Sequence, residues 1–488
     1  MSLRGLYNIP SYADFGTTLA QGLLEADMDL ADALILLPNR RAGRTLQTTF
    51  LRLRDGEAML LPRMVPMGDL SDEDAVGEAI AGRIDADMLP DADLDLAEPW
   101  PKLRREAALA ELVAKTDATL SQDHVMALAQ ELARLMDQIE TEGLDAAKLP
   151  QLVEKTELAA HWEKSLRFLR ILYEVWPNVE DAAGYISPAK RRRLSIENQI
   201  RRWDLAPPTG PVIAAGSTGS IPATRKLLAA VLKLPQGAVV LPGMDPDLSA
   251  QAWAEIEHEI THPQYGFYEV LKACEQPPEA VQPWPWLPAR MQEPRTQLLS
   301  KAMLPAETTA SLTEGWRAGV QGLSVTAIEQ AFDDVTLYEL DDDDQEAQTI
   351  ALALRQGLDK PEFVSALVTP DRALAERVKG HLQRWAIEPD DSAGLRLEDA
   401  PAFKFARIVL DLIEGKVDHF ALLSLLHHPL CQLGLSDPER LRGRTALDLH
   451  VLRNSPSGNG FTPMLNWISA NPDVDGINQA FVVLDRVI

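Results

Sequence analysis

The stretch PVIAAGSTGSIPATRKLLAAVLKLPQGAVVLPG, from Pro211 to Gly243, decides the fold class. Its first six residues are an apolar run that predicts a buried strand, and Gly237 to Gly243 predicts a second one. Between them, IPATRKLLAAVLKL has helical spacing, with Pro222 in the first turn, where a missing N–H group costs no hydrogen bond. Because two strands joined through a helix form a parallel pair, this stretch predicts an α/β protein with a parallel sheet.

The turn GSTGS joins the first strand to the helix, where a phosphate-binding loop would lie. Its candidate residues are Gly216, Ser217, Gly219 and Ser220. The motif G-x-x-x-x-G-K-[ST] is absent here and elsewhere in the chain, so no lysine is available for a β- or γ-phosphate. The dinucleotide motif G-x-G-x-x-G is missing too. Two interpretations stay open: a small polar turn that caps the helix, and a phosphate bound at the helix N-terminus.

Each of two other segments predicts a strand, followed by a loop that contains arginine and then by a helix. The strand that leads into ILLPNRRAGRTL covers residues 33–37, and the strand that leads into VTPDRALAERV covers 364–369. Open α/β sheets bind ligands beyond the carboxyl ends of their strands, and arginines with loop N–H groups suit a phosphate chain. The two loops therefore indicate one nucleic-acid strand crossing two domains, and two ordinary turns are the alternative. The candidate DNA-binding residues are Asn39, Arg40, Arg41, Arg44, Thr369 and Arg372.

The apolar period alternates along the chain between sheet-forming and helical blocks, and one more strand is predicted at Val335–Leu340. At 488 residues the chain is too long for one hydrophobic core, and about two to four domains are expected. The predicted ranges are a first α/β domain at 1–99 and 205–310, a helical insertion at 100–204, a second α/β domain at 311–400, and a second helical insertion at 401–488.

Composition restricts the functional classes. The two cysteines, Cys274 and Cys431, exclude a disulfide framework and a four-cysteine zinc or iron–sulfur site. No run of about 18 apolar residues predicts a membrane span, and the N-terminus lacks an apolar signal core. We therefore expect a reduced, cytoplasmic protein without a membrane partner.

The formal net charge of −26 argues against broad coating of nucleic acid, so any contact with DNA must use local basic patches. Residues 36–54 hold five arginines and no acidic residue. Residues 188–203 hold six basic residues and one acidic residue. A solvated helix face is the alternative explanation for each patch.

The pentapeptide HEITH, from His258 to His262, matches the zinc-protease signature H-E-x-x-H, in which Glu259 would be the general base. Pro263 follows directly and disfavours the helical conformation of His262, so a helix must end at about that residue. No third ligand is defined. A zinc hydrolase using His258, Glu259 and His262 is kept as an alternative, while the preferred interpretation assigns no catalytic and no metal-binding residue.

With these segments in view, the chain resembles AddB, the second subunit of the bacterial AddAB helicase–nuclease, in its alphaproteobacterial form. The matching stretches keep the family's order across nearly the whole chain, and they are specific together rather than singly. They are ILLPNRRAGRTL, LLPRMVPMGD, PVIAAGSTGSIPAT, GAVVLPGMD, HPQYG, LLSKAMLPAETT, the EA of DQEAQTIALALR, ALVTPDRALAERV, DDSAG and LLHHPL.

The resemblance implies a degenerate superfamily 1 helicase-like fold, with RecA-like parallel-sheet domains, all-α insertions and decayed ATPase motifs. It assigns contact with single-stranded DNA to Asn39, Arg40, Arg41 and Arg44 in the first domain, and to Thr369 and Arg372 in the second. The implied role is the DNA-binding, non-motor part of a subunit acting in double-strand break repair by homologous recombination. No cofactor is implied for this chain.

The implied partners are an AddA-type helicase–nuclease subunit, which drives ATP hydrolysis, together with double-stranded DNA ends and single-stranded DNA. The family normally continues into a RecB-type nuclease domain with a D…(D/E)-x-K site and four iron–sulfur cysteines. This sequence lacks those residues, so we expect an N-terminal portion without nuclease activity, and its own enzymatic status stays open. A purely structural, partner-binding subunit is the alternative.

Overall fold

The computed structural model describes residues 3–67, 96–148, 168–288, 293–305, 320–360, 363–392, 400–415, 417–454 and 460–488, with positions 317, 394 and 397. The chain divides into two compact units, Met1–Thr336 and Leu337–Ile488. Among the helices in these ranges, none is both long enough and apolar enough to cross a membrane.

The first unit is built on a six-stranded sheet in which all neighbouring strands are parallel. The strands are β1 Gly5–Ile9, β2 Leu34–Leu37, β3 Arg63–Pro66, β6 Val212–Ala215, β7 Gly237–Pro242 and β8 Gln282–Pro283. Their order across the sheet is β3-β2-β6-β7-β1-β8. The predicted α/β class with a parallel sheet is therefore confirmed, and the arrangement is consistent with a Rossmann-like or RecA-like sheet.

Helices of the first unit follow or precede these strands, and a block of helices lies in sequence between β3 and β6. That block includes a two-stranded parallel ladder of β4, Glu98–Pro99, and β5, Tyr185–Ile186. The helices are α1 Phe15–Glu25, α2 Arg40–Leu53, α3 Lys102–Thr116, α4 Gln122–Glu142, α5 Trp176–Ala183, α6 Pro188–Leu205, α7 Pro222–Lys233, α8 Ala250–Ile256, α9 Tyr265–Ala273, α10 Glu293–Ala302 and α11 Val325–Ala331.

The four inner strands of this sheet, β2, β6, β7 and β1, are buried on both faces, as is typical of parallel strands. In β2, Leu34 and Leu36 join the core on one face, which also includes residues of α6, α7, α8 and α9. Ile35 and Leu37 join the core on the other face, with residues of α1 and α2. Successive residues of a strand point to opposite faces, so a continuous apolar run here produces a three-layer α/β unit.

The helices between β3 and β6 have a core of their own, centred on residues such as Leu109, Met136 and Trp176. Arg105 is only 4% exposed and donates from Nη1 to both carboxylate oxygens of Asp137, at 2.8 and 2.9 Å. This pair ties α3 to α4, because a buried guanidinium needs a hydrogen-bonded anion.

Within the described ranges, all the regular secondary structure of the second unit is helical. Its two apolar clusters are a small one between α12 and α13 and a larger one among the remaining helices. The helices are α12 Asp343–Gly357, α13 Arg372–Gln383, α14 Pro401–Ile413, α15 His419–His427, α16 Asp437–Ala446, α17 Thr462–Ala470 and α18 Ile477–Asp485.

The strands predicted at 335–340 and 364–369 are wrong, because neither segment pairs with a strand in the described ranges. Leu367 is half-buried against α12 and α13, whereas Val364 and Val368 are 90% and 94% exposed. An apolar β-branched run favours a strand, but the strand forms only when a neighbour supplies its hydrogen bonds. The α/β domain predicted at 311–400 therefore shows no sheet among its described residues.

Candidate nucleic-acid interface

The loop after β2 presents the N-terminus of α2 at the carboxyl edge of the sheet. Asn39 has extended backbone angles and is the N-cap, and its side-chain oxygen accepts a 2.9 Å hydrogen bond from the Ala42 backbone N–H. Asparagine is a favoured N-cap residue, which explains why the helix begins at Arg40. Because this cap is neutral, the partial positive charge of the helix end is not cancelled.

Three exposed arginines, Arg40, Arg41 and Arg44, lie in the first turns of α2. Leu46 and Phe50 anchor the opposite face of the helix in the core. The Arg44 guanidinium forms no hydrogen bond or ion pair with any residue in the described ranges. Uncancelled positive charge at a helix N-terminus suits a phosphate group.

A cavity of about 490 Å³ opens beside this helix end, at the carboxyl ends of β2, β3 and β6. It collects residues from segments far apart in the sequence, and no carboxylate lines it within the part of the chain that the structure describes. The polar and charged lining residues are Asn39, Arg40, Thr141, Arg192, Arg193, Ser217, Thr218, Ser220 and Thr224.

The GSTGS turn forms one wall of this cavity. Gly216 and Gly219 have φ of +80° and +65°, and the Gly219 N–H donates to Ser217 Oγ at 3.2 Å. Gly219 is also held close to α9, since a Cβ built there would lie 2.0 Å from Val270 Cγ2. The turn therefore requires glycine for two reasons: the positive φ at both positions, and the close packing at Gly219.

The structure brings several predicted residues into one site. Asn39 and Arg40 line the same cavity as Gly216, Ser217 and Ser220. Arg41 and Arg44 lie on α2 next to the cavity but do not line it. Gly219 belongs to the GSTGS turn but is buried and does not line the cavity either. The site thus joins the loop proposed for DNA with the turn proposed for phosphate, which the sequence had left separate.

The basic helix α6 supplies two residues that the sequence did not assign to the site. Arg192 is exposed, lines the cavity and pairs with no residue in the described ranges. Arg193 lines it too, but its guanidinium lies 3.3 Å from carboxylate oxygens of Glu140 and Glu197. The basic run at 188–203 was visible in the sequence, but nothing in the sequence placed it beside the GSTGS turn.

A third helix that begins at this edge of the sheet is unsuited to phosphate. The N-cap of α1 is Asp14, whose Oδ1 accepts a 2.6 Å hydrogen bond from the Thr17 N–H. A carboxylate already satisfies this helix end and would repel a second anion. Anion binding is therefore expected at α2 and α7 rather than at α1.

The predicted residues of the second unit are held by internal contacts. Thr369 Oγ1 accepts a hydrogen bond from the Asp371 N–H at 3.0 Å, and Asp371 caps α13 through the Ala373 N–H at 2.7 Å. The Arg372 guanidinium contacts carboxylates of Asp391 and Glu376. This loop resembles the Asn39 loop in sequence, but its carboxylates neutralise the charge that a phosphate would need.

The HEITH segment does not form a zinc-binding helix. α8 ends at Ile256, so both histidines lie beyond the helix and do not share one of its faces. The two ring nitrogens of His262 contact the Met303 carbonyl and the Gln264 N–H, which is a structural role. Across the described ranges no group of three His, Cys, Asp or Glu residues could hold a metal.

Comparison with known proteins gives no identification: no protein-family model matches the chain, and no curated protein matches it either.

Proposed function

We propose that this chain is the DNA-binding, non-motor part of a helicase–nuclease subunit acting in double-strand break repair by homologous recombination. The observation that carries the proposal is the neutral-capped, arginine-bearing N-terminus of α2, which opens on a cavity whose described lining contains no carboxylate. Such an arrangement suits the phosphate backbone of a DNA strand. The resemblance to AddB supports the choice of DNA over other phosphate-bearing polymers.

The mechanism would be electrostatic and geometric. Guanidinium groups and helix N–H groups bind phosphates and make no contact with the bases. They therefore fix the position of a DNA strand without selecting its base sequence. An AddA-type partner would supply ATP-driven motion, and this cytoplasmic subunit would guide the strand. Because the net charge of the whole chain, −26, opposes DNA binding, binding depends on the local basic patch and should weaken steeply with salt.

The test is binding to a DNA duplex with a single-stranded tail across a salt series. The variants are Arg44→Ala and the triple variant Arg40→Ala/Arg41→Ala/Arg44→Ala. Arg54→Ala is the matched control, because Arg54 is exposed, carries the same charge and lies at the other end of α2, where it pairs with Glu57 at 2.9 Å.

The logarithm of the binding constant falls as the logarithm of the salt concentration rises. Each lost phosphate contact should reduce the magnitude of this slope by about one. We expect a shallower slope for Arg44→Ala, a further decrease for the triple variant, and no change for Arg54→Ala. Equal losses for Arg44→Ala and Arg54→Ala would show a general charge effect and contradict the site. If wild type fails to bind at low salt, the DNA role is wrong and a purely structural, partner-binding role is favoured.

A further inference from the structure

The N-terminus of α7 opens into the same cavity and has no side-chain cap. Its N-cap residue is Ile221, and the 12-residue helix starts with Pro222, which has no N–H group. The next two N–H groups, of Ala223 and Thr224, belong to the first turn, where a helix offers them no carbonyl partner. Both residues line the cavity, so these donors are at a surface that a ligand can reach.

The Thr224 hydroxyl is an independent observation that points to a ligand. Thr224 is 9% exposed and lines the cavity, and its hydroxyl forms no hydrogen bond with any residue in the described ranges. Buried polar groups in proteins are almost always hydrogen-bonded. The Thr224 oxygen is not among the enclosed unpaired side-chain atoms of the described residues, so it faces the cavity, where it can bond to a ligand that enters.

Arg192 supplies positive charge at this end of the cavity. It is the middle one of three consecutive arginines, and its neighbours are engaged elsewhere. Arg191 donates to the carbonyl oxygens of Leu96 and Ala97, each at 2.9 Å, and Arg193 pairs with two glutamates of α4 and α6. Arg192, exposed on the cavity wall, makes no such contact within the described ranges. A guanidinium held beside free N–H and O–H donors is the arrangement that recognises an oxyanion.

We infer that the end of the cavity bounded by Arg192, Thr224 and the first turn of α7 is a phosphate-binding subsite. The Arg192 guanidinium and the N–H groups of the first turn can only donate hydrogen bonds, and the Thr224 hydroxyl can donate one as well, so the subsite favours an oxyanion over a neutral group. The inference rests on the proposed function in one respect, which is that the phosphate belongs to a DNA strand. A free phosphate compound offers the same chemistry and is distinguished by the test.

The test uses two probes in phosphate-free buffer: a labelled single-stranded oligothymidylate and inorganic pyrophosphate. Thr224→Val and Arg192→Ala should each weaken binding of the oligothymidylate by about three- to tenfold, the loss typical of one hydrogen bond. Thr224→Ser retains the hydroxyl, and this variant should bind the oligothymidylate like wild type. Arg201→Ala is the matched control for charge, because Arg201 is exposed on the same helix but does not line the cavity.

Thermal unfolding separates binding from folding. Thr224→Val removes a hydroxyl that has no protein partner, so its melting temperature should equal or exceed that of wild type. A structural role for Thr224 would instead lower the melting temperature together with the affinity, and that result overturns the subsite.

The two probes separate the subsite from the proposed function. If wild type binds the oligothymidylate and both variants weaken it, the subsite holds DNA and both proposals stand. If wild type binds only pyrophosphate, and the variants weaken that, the subsite stands for a free phosphate compound and the DNA role fails. If the oligothymidylate binds equally to wild type and both variants, the subsite is overturned while the DNA role survives. If neither probe binds, both proposals are overturned.

Discussion

The guanidinium of Arg372 donates hydrogen bonds to both carboxylate oxygens of Asp391, each at 3.0 Å. The hydrogen bond to Asp391 and the nearby charges of Asp391 and Glu376 raise the pKa of Arg372. Arg44, at the corresponding kind of loop in the first unit, has no such partner in the described ranges. The same residue type therefore has different electrostatic surroundings in two loops of similar sequence.

This difference predicts a ranking of variants. Arg372→Ala should change the affinity for tailed DNA less than Arg44→Ala does, because carboxylates already neutralise Arg372. Asp391→Asn should strengthen DNA binding at low salt, since it removes a negative charge beside Arg372. Both effects are measured by titration at several salt concentrations. A larger loss for Arg372→Ala than for Arg44→Ala would show that the second loop is the main DNA contact.

The cap of α2 allows stability and charge to be tested separately at one residue. Asn39→Asp keeps an oxygen that can accept from the Ala42 N–H, so its stability should remain near wild type. Its added negative charge at the cavity should weaken DNA binding by at least about tenfold at low salt. Asn39→Ala loses the cap and should lower the free energy of unfolding by about 0.5–2 kcal/mol. Equal DNA affinity for wild type and Asn39→Asp would contradict phosphate binding at this helix end.

Because α1 packs closely against Trp284, replacing two of its glycines by alanine should have opposite effects on stability. Trp284 is 1% exposed and donates from Nε1 to the Thr18 carbonyl at 3.1 Å. A Cβ at Gly22 would lie 2.4 Å from Trp284 Nε1, so Gly22→Ala should destabilise the unit by about 1–3 kcal/mol. Gly16→Ala on the same helix meets only Asp14 Oδ1 at 3.9 Å and should be neutral or stabilising.

The two glycine variants are compared by denaturant unfolding, with the slope against denaturant checked for two-state behaviour. A free energy of unfolding for Gly22→Ala that equals that of Gly16→Ala would show that Trp284 does not pack there.

The two cysteines predict a pH-dependent reactivity. Burial raises the pKa of the Cys274 thiol to about 11, against the opposing charge of Lys233, and burial also raises the pKa of Cys431. The thiolate is the reactive form, so iodoacetamide should label the native chain slowly at about pH 8 and the denatured chain fast. Labelling is measured by mass spectrometry. Fast labelling of the native chain at that pH would show that the thiols are exposed.

The sign of the linked stability change follows from the same shift. A raised pKa in the folded state means that folding favours the neutral thiol. The contribution of Cys274 to stability is therefore complete below about pH 9 and is lost as the pH rises towards about 11. Cys274→Ser should show a smaller loss of stability over this interval than wild type.

The sheet illustrates how far the sequence could predict the fold. The β6–α7–β7 segment was predicted closely, because strand, turn and helix signals there agree within a few residues. β1 was not predicted, since GLYNI is short and contains a polar residue, yet this strand lies between β7 and β8. Asn8 is buried there because its side chain bonds to both the N–H and the carbonyl of Met244, which only the folded sheet brings near.

The candidate site was predictable in part. The Asn39 loop and the GSTGS turn were found because each follows a strand and precedes a helix in the sequence. Arg192 and Thr224 were not found, since a basic helix and a threonine in the first turn of a helix are ordinary until a cavity places them together. The distances between separate segments depend on the strand order, and no local pattern specifies that order.

By itself the sequence determined the α/β class, the strand–loop–helix order around Asn39 and the polar GSTGS turn, because these depend on residues a few positions apart. Only the tertiary structure decided which arginines keep an available charge. Arg193 is partly neutralised by Glu140, which lies 53 residues away, and Arg372 by Asp391, 19 residues away. Electrostatic interactions depend on distance in space, so the charge available to a phosphate is fixed only when the chain has folded.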